Sequence, residues 1–291
     1  MTTNFSIIIP HKNSPQLLQR CLRSIPQRDD LEIVIIDDNS DVNKKPQIER
    51  QDVSVIYLGV DQAAGPGHAR NVGLDRAKGM WVLFADADDS FTDSLNSSLD
   101  LVLTLDVDVV YCSFNIIKDD RAISRTINTY KQPISKEESF KLKYGITAAW
   151  NKIVRASFIE RYRIRFEECL IGEDLLFSNQ IAFFSQKRFT MIYEPLYNYF
   201  FTPSSITHMK NNNESYYLSI CKHLYQQNAL LRYIGESKHV RSLFSKSMAI
   251  IVKKGWKDFI IFLKVFYSNR KEIIEGKNYF VDVIKSHQSS K

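Results

Sequence analysis

Residues 79–91 read Gly-Met-Trp-Val-Leu-Phe-Ala-Asp-Ala-Asp-Asp-Ser-Phe. The apolar run at 80–85 contains a β-branched residue and two aromatic residues, which predicts a short strand buried on both faces. Asp86, Asp88 and Asp89 follow it and would repel one another without a cation nearby. In an extended or turning backbone, Asp86 and Asp88 can point toward one place. The segment therefore predicts a buried strand that ends in a concentrated negative charge.

The acidic turn has two interpretations. Carboxylate oxygens that converge suit Mg²⁺ or Mn²⁺ held together with a phosphate-bearing substrate. A lone Asp-x-Asp pattern is short, however, and more often marks a solvated turn that closes a strand. The strand before it and the glycine-rich, basic segment upstream, Gly65-Pro-Gly67 followed by Arg70, favour the metal–phosphate site.

Working outward, the first hundred residues alternate apolar runs with helical patterns. Strands are predicted at 5–9, 31–36, 53–58 and 80–85, and helices at 15–25, with Ser14 as N-cap, and at 68–77. This order indicates a parallel α/β sheet, in which ligands bind beyond the carboxyl ends of the strands. Pro10, Asp37, Asp38 and the acidic turn at 86–89 all follow strands. We therefore expect them at one edge of the sheet.

Several classes of protein are excluded. No Gly-Lys-Ser/Thr follows Gly65-Pro-Gly67, and the glycines lack the Gly-x-Gly-x-x-Gly spacing, so neither an ATPase nor a dinucleotide enzyme is indicated. The four cysteines form no Cys-x-x-Cys pair, which excludes a zinc ribbon and favours reduced, buried thiols in the cytoplasm. The first residues lack a signal-peptide core, and no apolar run is long enough to span a bilayer.

The basic charge is concentrated toward the end of the 291-residue chain. Residues 1–100 hold 10 basic and 15 acidic side chains, whereas residues 201–291 hold 15 and 6. We expect a catalytic domain at 1–210 and a helical, basic extension at 211–291, with a linker at 211–213. A basic surface suits an anionic partner, namely a membrane surface, a polyanionic substrate or nucleic acid, although a solvated helical face is the alternative. Of these partners we expect a membrane and no nucleic acid.

One helix is predicted over 245–267, with an apolar face next to lysines. Its apolar members are Met248, Ile251, Val252, Trp256, Phe259, Ile260, Leu263 and Phe266, and its lysines are Lys246, Lys253, Lys254, Lys257 and Lys264. Such a helix can lie in a membrane interface. The alternative is that this face packs on the catalytic domain while the lysines are solvated.

Four motifs occur in a characteristic order along the chain. They are Ser6-Ile-Ile-Ile-Pro-His-Lys-Asn13, Glu32-Ile-Val-Ile-Ile-Asp-Asp-Asn-Ser40, Gly65-x-x-x-Ala-Arg-Asn-x-Gly-Leu74 and Leu83-Phe-Ala-Asp-Ala-Asp-Asp89. The series resembles the family 2 glycosyltransferases, which have the GT-A fold. Later blocks also resemble that family: Trp150-Asn151-Lys152, Gly172-Glu173-Asp174, and Tyr197-x-Tyr199 followed by Ser205-Ile206-Thr207. The resemblance covers residues 4–207 and implies a GT-A-type, Rossmann-like, mostly parallel sheet flanked by helices.

The resemblance also implies a nucleotide pocket. Pro10 would lie at the edge of that pocket, and Asp38, with Asp37 beside it, would accept a hydrogen bond from N3–H of uracil or thymine. Arg70 would face the base or the diphosphate.

Further roles at the reaction centre follow from the same resemblance. Asp88 would hold Mn²⁺ or Mg²⁺, and Asp86 would contact the ribose or the metal. Asp174, with Glu173 beside it, would be the general base. The acidic pair at the start of a helix has a structural alternative, because the helix dipole favours carboxylates there.

The implied activity is inverting transfer of a sugar from a UDP-sugar to a hydroxyl acceptor, in the synthesis of bacterial surface polysaccharide. The acceptor would be a saccharide or a lipid-linked saccharide, reached in the cytoplasm or at the inner membrane face. Two alternatives are a sugar-1-phosphate nucleotidyltransferase, whose glycine-rich loop is missing after residue 9, and a binding module without catalysis.

The chain departs from the family pattern at two places. His11 and Lys12 stand where the family has a small residue and a tyrosine, so stacking of the base on an aromatic ring is not expected. Phe200-Phe201-Thr202 lacks the basic residue that often clamps diphosphate, which leaves Lys210 as a candidate. His208 could approach the metal, but a lone histidine in a loop is more often simply exposed.

Overall fold

A computed structural model describes residues 2–118, 121–123, 135–169, 172–201 and 214–288. The chain contains two units, Met1–Pro203 and Ser204–Lys291. The strands are β1 Phe5–His11, β2 Leu31–Asp37, β3 Val53–Tyr57, β4 Trp81–Phe84, β5 Ser90–Phe91, β6 Val109–Lys118, β7 Arg121–Ile123, β8 Lys152–Arg155 and β9 Phe189–Phe200. The helices of the first unit are α1 Pro15–Arg23, α2 Pro66–Arg76, α3 Leu95–Leu103, α4 Lys136–Phe140, α5 Ala156–Arg161 and α6 Glu173–Phe184.

The strands form one sheet in the order β3-β2-β1-β4-β8-β6-β9-β5, with β7 paired to β6. The first four strands are mutually parallel, and β6 is parallel to β9. β8 runs antiparallel between β4 and β6, and β5 is antiparallel to β9. The expected α/β fold with helices beside a Rossmann-like sheet is confirmed. The antiparallel strand β8, which the sequence did not indicate, joins the two parallel parts.

The apolar runs supply the core as their composition requires. Every residue of β4 is buried, and all of β1 except Pro10 is buried. Helix α1 buries Leu18, Cys21 and Leu22 on one side, in agreement with its helical period. Ser14 is the N-cap residue of α1 and Pro15 follows it, as predicted. The Ser14 side chain makes no capping bond, and its backbone N–H donates to His11 Nε2.

The second unit is helical. Its helices are α7 Glu214–Tyr233, α8 Leu243–Lys254, α9 Trp256–Ser268, α10 Arg270–Glu275 and α11 Tyr279–Gln288. The single helix predicted over 245–267 is wrong, because Gly255 adopts φ +95° and separates α8 from α9. Phe266 enters this unit's core with Tyr217 and Phe262. Among the described residues, no helix has both the length and the apolar content to cross a membrane. The linker expected at 211–213 lies outside them.

Candidate active site

The parallel strands place three loops at one sheet edge. β1 lies between β2 and β4 in register, with His11 beside Asp37 and Ile8 beside Phe84. The ladder continues into the loops, because Asp38 N–H donates to the His11 carbonyl over 2.8 Å. The residues that follow β1, β2 and β4 therefore meet at their carboxyl ends, as the sequence pattern predicts.

The acidic turn after β4 brings three carboxylates together. Asp86, Asp88 and Asp89 can each offer one oxygen atom, and these atoms lie within 4.8 Å of one another. Burial, followed by the charge of Asp86, raises the pKa of Asp88. Burial, then Asp86 and Asp88, raises the pKa of Asp89 to about 9. Such mutual repulsion favours a cation, and an all-oxygen donor set fits Mg²⁺ or Mn²⁺.

Contacts from α1 and β9 fix this turn. Asp86 N–H donates to the Tyr197 hydroxyl over 2.9 Å, and Phe200 N–H donates to Asp89 Oδ1 over 2.8 Å. From the other side, the Arg20 guanidinium donates to the Asp88 carbonyl and lies 3.7 Å from the centre of the Phe200 ring. These bonds hold the backbone of the turn and so restrict the positions of its three carboxylates.

Arg70 of α2 links the acidic turn to the start of α6. Its Nη2 donates to Asp86 Oδ1 over 2.6 Å, and its Nη1 donates to Glu173 Oε1 over 2.9 Å. Nη1 also lies 3.3 Å from Asp174 Oδ1. Burial lowers the pKa of Arg70, but Asp174, Asp86 and Glu173 raise it by more, so the guanidinium stays charged. Arg70 therefore neutralises part of a four-residue ion cluster, and all four members are candidate site residues.

Gly67 explains how α2 and α6 approach so closely. A Cβ atom at this position would lie 2.3 Å from the Glu167 carbonyl oxygen and 3.0 Å from Glu173 Cβ. Only glycine permits this distance. The Gly-Pro-Gly segment thus serves helix packing, which brings Arg70 within reach of Glu173.

Asp174 lies in the first turn of α6, where the helix begins after Gly172 in the left-handed conformation. Its Oδ2 accepts from Ala149 N–H over 3.3 Å, whereas its Oδ1 has no hydrogen-bond partner among the described residues. The Arg70 contact is close, but its angle does not make a hydrogen bond. Burial raises the pKa of Asp174 to about 7 and outweighs the opposite effect of Arg70. Asp174 is thus a carboxylate whose raised pKa suits a general base.

The two aspartates at the end of β2 have different surroundings: Asp37 belongs to an internal hydrogen-bond network, whereas one oxygen of Asp38 lacks a described partner. Asp37 Oδ1 lies 2.7 Å from His11 Nδ1 and accepts from the Ser40 hydroxyl over 2.5 Å. Because His11 Nε2 accepts from Ser14 N–H, the neutral ring carries its proton on Nδ1 and donates to Asp37. Asp37 and His11 therefore satisfy each other inside the protein, while Pro10 is only partly buried at the end of β1.

Asp38 differs from Asp37 because one of its carboxylate oxygens lacks a hydrogen-bond partner among the described residues. It is buried, its Oδ2 lies 3.3 Å from Lys12 Nζ, and its Oδ1 has no hydrogen-bond partner among the described residues. A buried carboxylate oxygen without a donor is costly, and a ligand N–H would satisfy it.

The structure thus brings together Arg70, Asp86, Glu173 and Asp174 directly, with Asp88 in the same turn as Asp86. Three contributors were missed from the sequence: Arg20, the hydroxyl of Tyr197 and the buried Lys152. Their signals were weak, since Arg20 has an ordinary helical position and the other two belong to family blocks without an evident role. Residues 205–207, His208 and Lys210 lie outside the described part of the chain.

Comparisons with known proteins identify the family and the fold. A family model described as Glycosyl transferase family 2 matches residues 6–163. The poly(ribitol-phosphate) beta-N-acetylglucosaminyltransferase TarS of Staphylococcus aureus is 27% identical over 205 residues, which are 67% of this chain and 35% of TarS. The GalNAc(5)-diNAcBac-PP-undecaprenol beta-1,3-glucosyltransferase of Campylobacter jejuni is 36% identical over 100 residues, 32% of each chain. The chain spans about a third of the length of each relative.

The fold has a solved counterpart. The crystal structure of Staphylococcus aureus TarS 1-349 in complex with UDP-GlcNAc superposes with a TM-score of 0.61 at 21% sequence identity. The superposition covers 99% of this chain and 93% of that one. This similarity confirms the GT-A-type fold expected from the order of the motifs.

Proposed function

Since the chain belongs to glycosyltransferase family 2, we propose that it transfers a sugar from a UDP-sugar to a hydroxyl acceptor with inversion at the anomeric carbon. The observation that carries the proposal is the Arg70 cluster. It ties the acidic turn, through Asp86, to Asp174, so that the group suited to a phosphate-bound cation and the group suited to proton removal belong to one connected site.

The acidic turn would hold the metal. Asp88 and Asp86 are the proposed ligands for Mg²⁺ or Mn²⁺, with Asp89 behind them. A divalent cation there would neutralise the charge that develops on a departing diphosphate. The bonds from Tyr197 and Arg20 hold the turn in place and would thereby fix the ligands of the cation.

Asp174 is the proposed general base, with Glu173 beside it. The Asp174 carboxylate would take the proton of the acceptor hydroxyl while the hydroxyl oxygen attacks the anomeric carbon. The bond from the anomeric carbon to the diphosphate oxygen breaks as the new glycosidic bond forms, and the nucleoside diphosphate leaves. A base with a pKa of about 7 is about half ionised near neutral pH and is basic enough there to accept a proton.

Asp38 supports uracil as the base of the donor. Its unsatisfied Oδ1 is an acceptor, and N3 of uracil carries a hydrogen where N3 of cytosine does not. Pro10 and Asp37 would form the wall of the pocket. The TarS structure that shares the fold contains UDP-GlcNAc, which agrees with a UDP-sugar donor.

The acceptor is proposed from the named activities of the relatives. TarS is named for a poly(ribitol-phosphate) acceptor and the Campylobacter enzyme for an undecaprenol-linked one. We propose a saccharide or lipid-linked saccharide of a bacterial surface polysaccharide. A sugar-1-phosphate nucleotidyltransferase is not favoured, because the matching family is one of glycosyltransferases.

A peripheral contact with an anionic membrane forms part of the proposal. Helices α8 and α9 expose Val252, Trp256 and Ile260 to solvent, and Lys257 and Lys264 are exposed on α9. Apolar and aromatic side chains beside lysines are typical of interfacial helices. Such a contact would bring the enzyme to a lipid-linked acceptor.

The test combines binding with turnover. Thermal unfolding with UDP, CDP or dTDP, each with and without Mn²⁺, should show the largest rise of the midpoint with UDP and Mn²⁺ together. Incubation with UDP-sugars should then release UDP. Stabilisation without UDP release from any UDP-sugar, even with acceptor saccharides present, would favour a binding module. No stabilisation by UDP would overturn the proposed donor.

A further inference from the structure

Lys152 is a buried lysine beside the candidate base. Its side chain lies at the start of β8 and is 1% exposed. Its Nζ donates to the carbonyl oxygens of Ala148 and Ile146 over 2.5 and 3.3 Å, and to Asn151 Oδ1 over 2.7 Å. Three acceptors match the three hydrogens of an ammonium group. The three bonds therefore indicate that Lys152 holds the segment 146–151 in place.

The same segment is bonded to α6 at two places. Ser178 Oγ donates to the Thr147 carbonyl over 2.5 Å, and Ala149 N–H donates to Asp174 Oδ2 over 3.3 Å. Lys152 donates to the carbonyl oxygen of Ala148, which belongs to the same peptide unit as the Ala149 N–H. The position of the N–H that orients Asp174 therefore depends on Lys152.

We propose that Lys152 is a positioning residue of the transfer reaction, which holds the 146–149 segment so that Ala149 N–H fixes the orientation of the Asp174 carboxylate toward the acceptor hydroxyl. The inference rests on the proposed role of Asp174 as base.

The charges around Lys152 support this role. Burial lowers the pKa of Lys152 to about 7, while Asp174 and Cys112 act in the opposite direction. Lys152 in turn lowers the pKa of Asp174, together with Arg70, whereas burial, Glu173 and Asp86 raise it. Loss of the lysine charge should therefore make Asp174 a weaker acid, in addition to freeing the segment that orients it.

Two substitutions separate the parts of this role. Lys152→Met removes both the charge and the hydrogen bonds at similar size, whereas Lys152→Gln keeps N–H donors without the charge. We expect Lys152→Met to lower kcat by about tenfold to a hundredfold, the scale of small misplacements at a reacting centre. UDP–Mn²⁺ affinity should stay within about twofold of the parent, since the substitution leaves the acidic turn and Asp38 untouched. Lys152→Gln should recover part of the loss.

Lys143 offers a matched control. Lys143 is a partly buried lysine, and burial lowers its pKa too, to about 8. Its Nζ donates to the Gln186 carbonyl over 3.0 Å and lies over the Phe189 ring, with no described bond to the 146–149 segment. Lys143→Met should leave kcat near that of the parent. Equal losses of kcat in both variants would show a general packing effect and overturn the proposal.

A double-mutant cycle gives the decisive readout. If Lys152 acts through Asp174, Lys152→Met should cost little further kcat in an Asp174→Asn background. Full additivity would overturn the positioning role.

If Lys152→Met fails to fold, Ser178→Ala cuts the other bond to the same segment and should lower kcat in the same non-additive way; unchanged kcat would overturn the proposal. Should Asp174→Asn keep full turnover, the base itself is wrong, whereas loss there with none in Lys152→Met defeats only the present inference.

Discussion

Arg70 Nη2 donates to Asp86 Oδ1 over 2.6 Å, so a buried guanidinium joins helix α2 to the acidic turn after β4. The same group contacts Glu173 and Asp174 at the start of α6. Three carboxylates surround one cation, which leaves the cluster with an excess of negative charge. The Arg70–Asp86 ion pair therefore positions the acidic turn, and the remaining negative charge still attracts a divalent cation.

Arg70→Met should destabilise the protein by up to about 3–5 kcal/mol, because it removes a buried cation from three partly buried carboxylates. The measurement is urea unfolding followed by circular dichroism in the absence of metal. Arg165→Met is the control, since Arg165 and its ion-pair partner Asp75 are both exposed and its loss should cost less than about 1 kcal/mol. Equal stability of the two variants would show that the Arg70 cluster contributes little to folding.

Asp88→Asn should abolish the Mn²⁺ dependence of UDP binding, because a neutral amide cannot balance the cation as a carboxylate does. Titration calorimetry of UDP with and without Mn²⁺ measures this directly. Asp41→Asn removes an exposed carboxylate paired only with Lys44 and should bind as the parent does. If Asp88→Asn still responds to Mn²⁺, Asp88 is not a metal ligand.

Asp174→Asn should lower kcat by a factor of about 10² to 10⁴ while UDP–Mn²⁺ binding stays near normal. In the parent, kcat should fall as the pH drops through about 7, because a protonated carboxyl cannot accept the hydroxyl proton. A pH–rate profile of both proteins tests this. Loss of activity in Glu173→Gln but not in Asp174→Asn would assign the base to the neighbour instead.

The raised pKa of Asp174 also predicts a direction for stability. The folded protein favours the protonated carboxyl, whose ordinary pKa is 3.8 and which folding raises to about 7. The stability from this group is therefore present below the ordinary pKa and is lost as the pH rises through about 7. Asp174→Asn should flatten the decline of stability between these values, as measured by urea midpoints. An unchanged decline would indicate that Asp174 is not protonated in the folded state.

The parallel part of the sheet could be predicted from local sequence, because β-branched runs such as that of β1 are buried whatever follows them. Part of the candidate site could be predicted for the same reason, since Asp38 and Asp86 follow such runs. The strand β8 was not, because four residues that begin with a lysine and end with an arginine show no strand pattern. The Arg70–Glu173 pair joins residues 103 positions apart, and no local pattern encodes such a contact.

Gly67→Ala should separate α2 from the start of α6, because the new methyl group would overlap the Glu167 carbonyl. We expect a lower midpoint of thermal unfolding and a lower kcat, as the Arg70–Glu173 bond lengthens. Gly276→Ala is the control, since a Cβ atom there meets nothing within 4 Å. If both variants behave as the parent does, close packing at Gly67 is not needed for the site.

The exposed apolar side chains of α8 and α9 predict binding to anionic vesicles. The break at Gly255 divides the surface expected from the sequence, so that Phe266 is buried while Val252 and Trp256 are 81% and 66% exposed on either side of the break. Vesicles with anionic lipid should co-sediment the protein at low salt, and raised salt should weaken binding because it screens the lysines.

The double substitution Val252→Ser and Trp256→Ser should reduce this binding, because it removes apolar contact while keeping every lysine. Val42→Ser is the matched control, since Val42 of the first unit is equally exposed, at 88%, and its loss should change nothing. Equal binding by the double variant and the parent would mean that the lysines act alone. Absence of binding to anionic vesicles at low salt would remove the membrane contact from the proposal, and because no residue of the Arg70 cluster lies on α8 or α9, the proposed transfer reaction would stand unaffected.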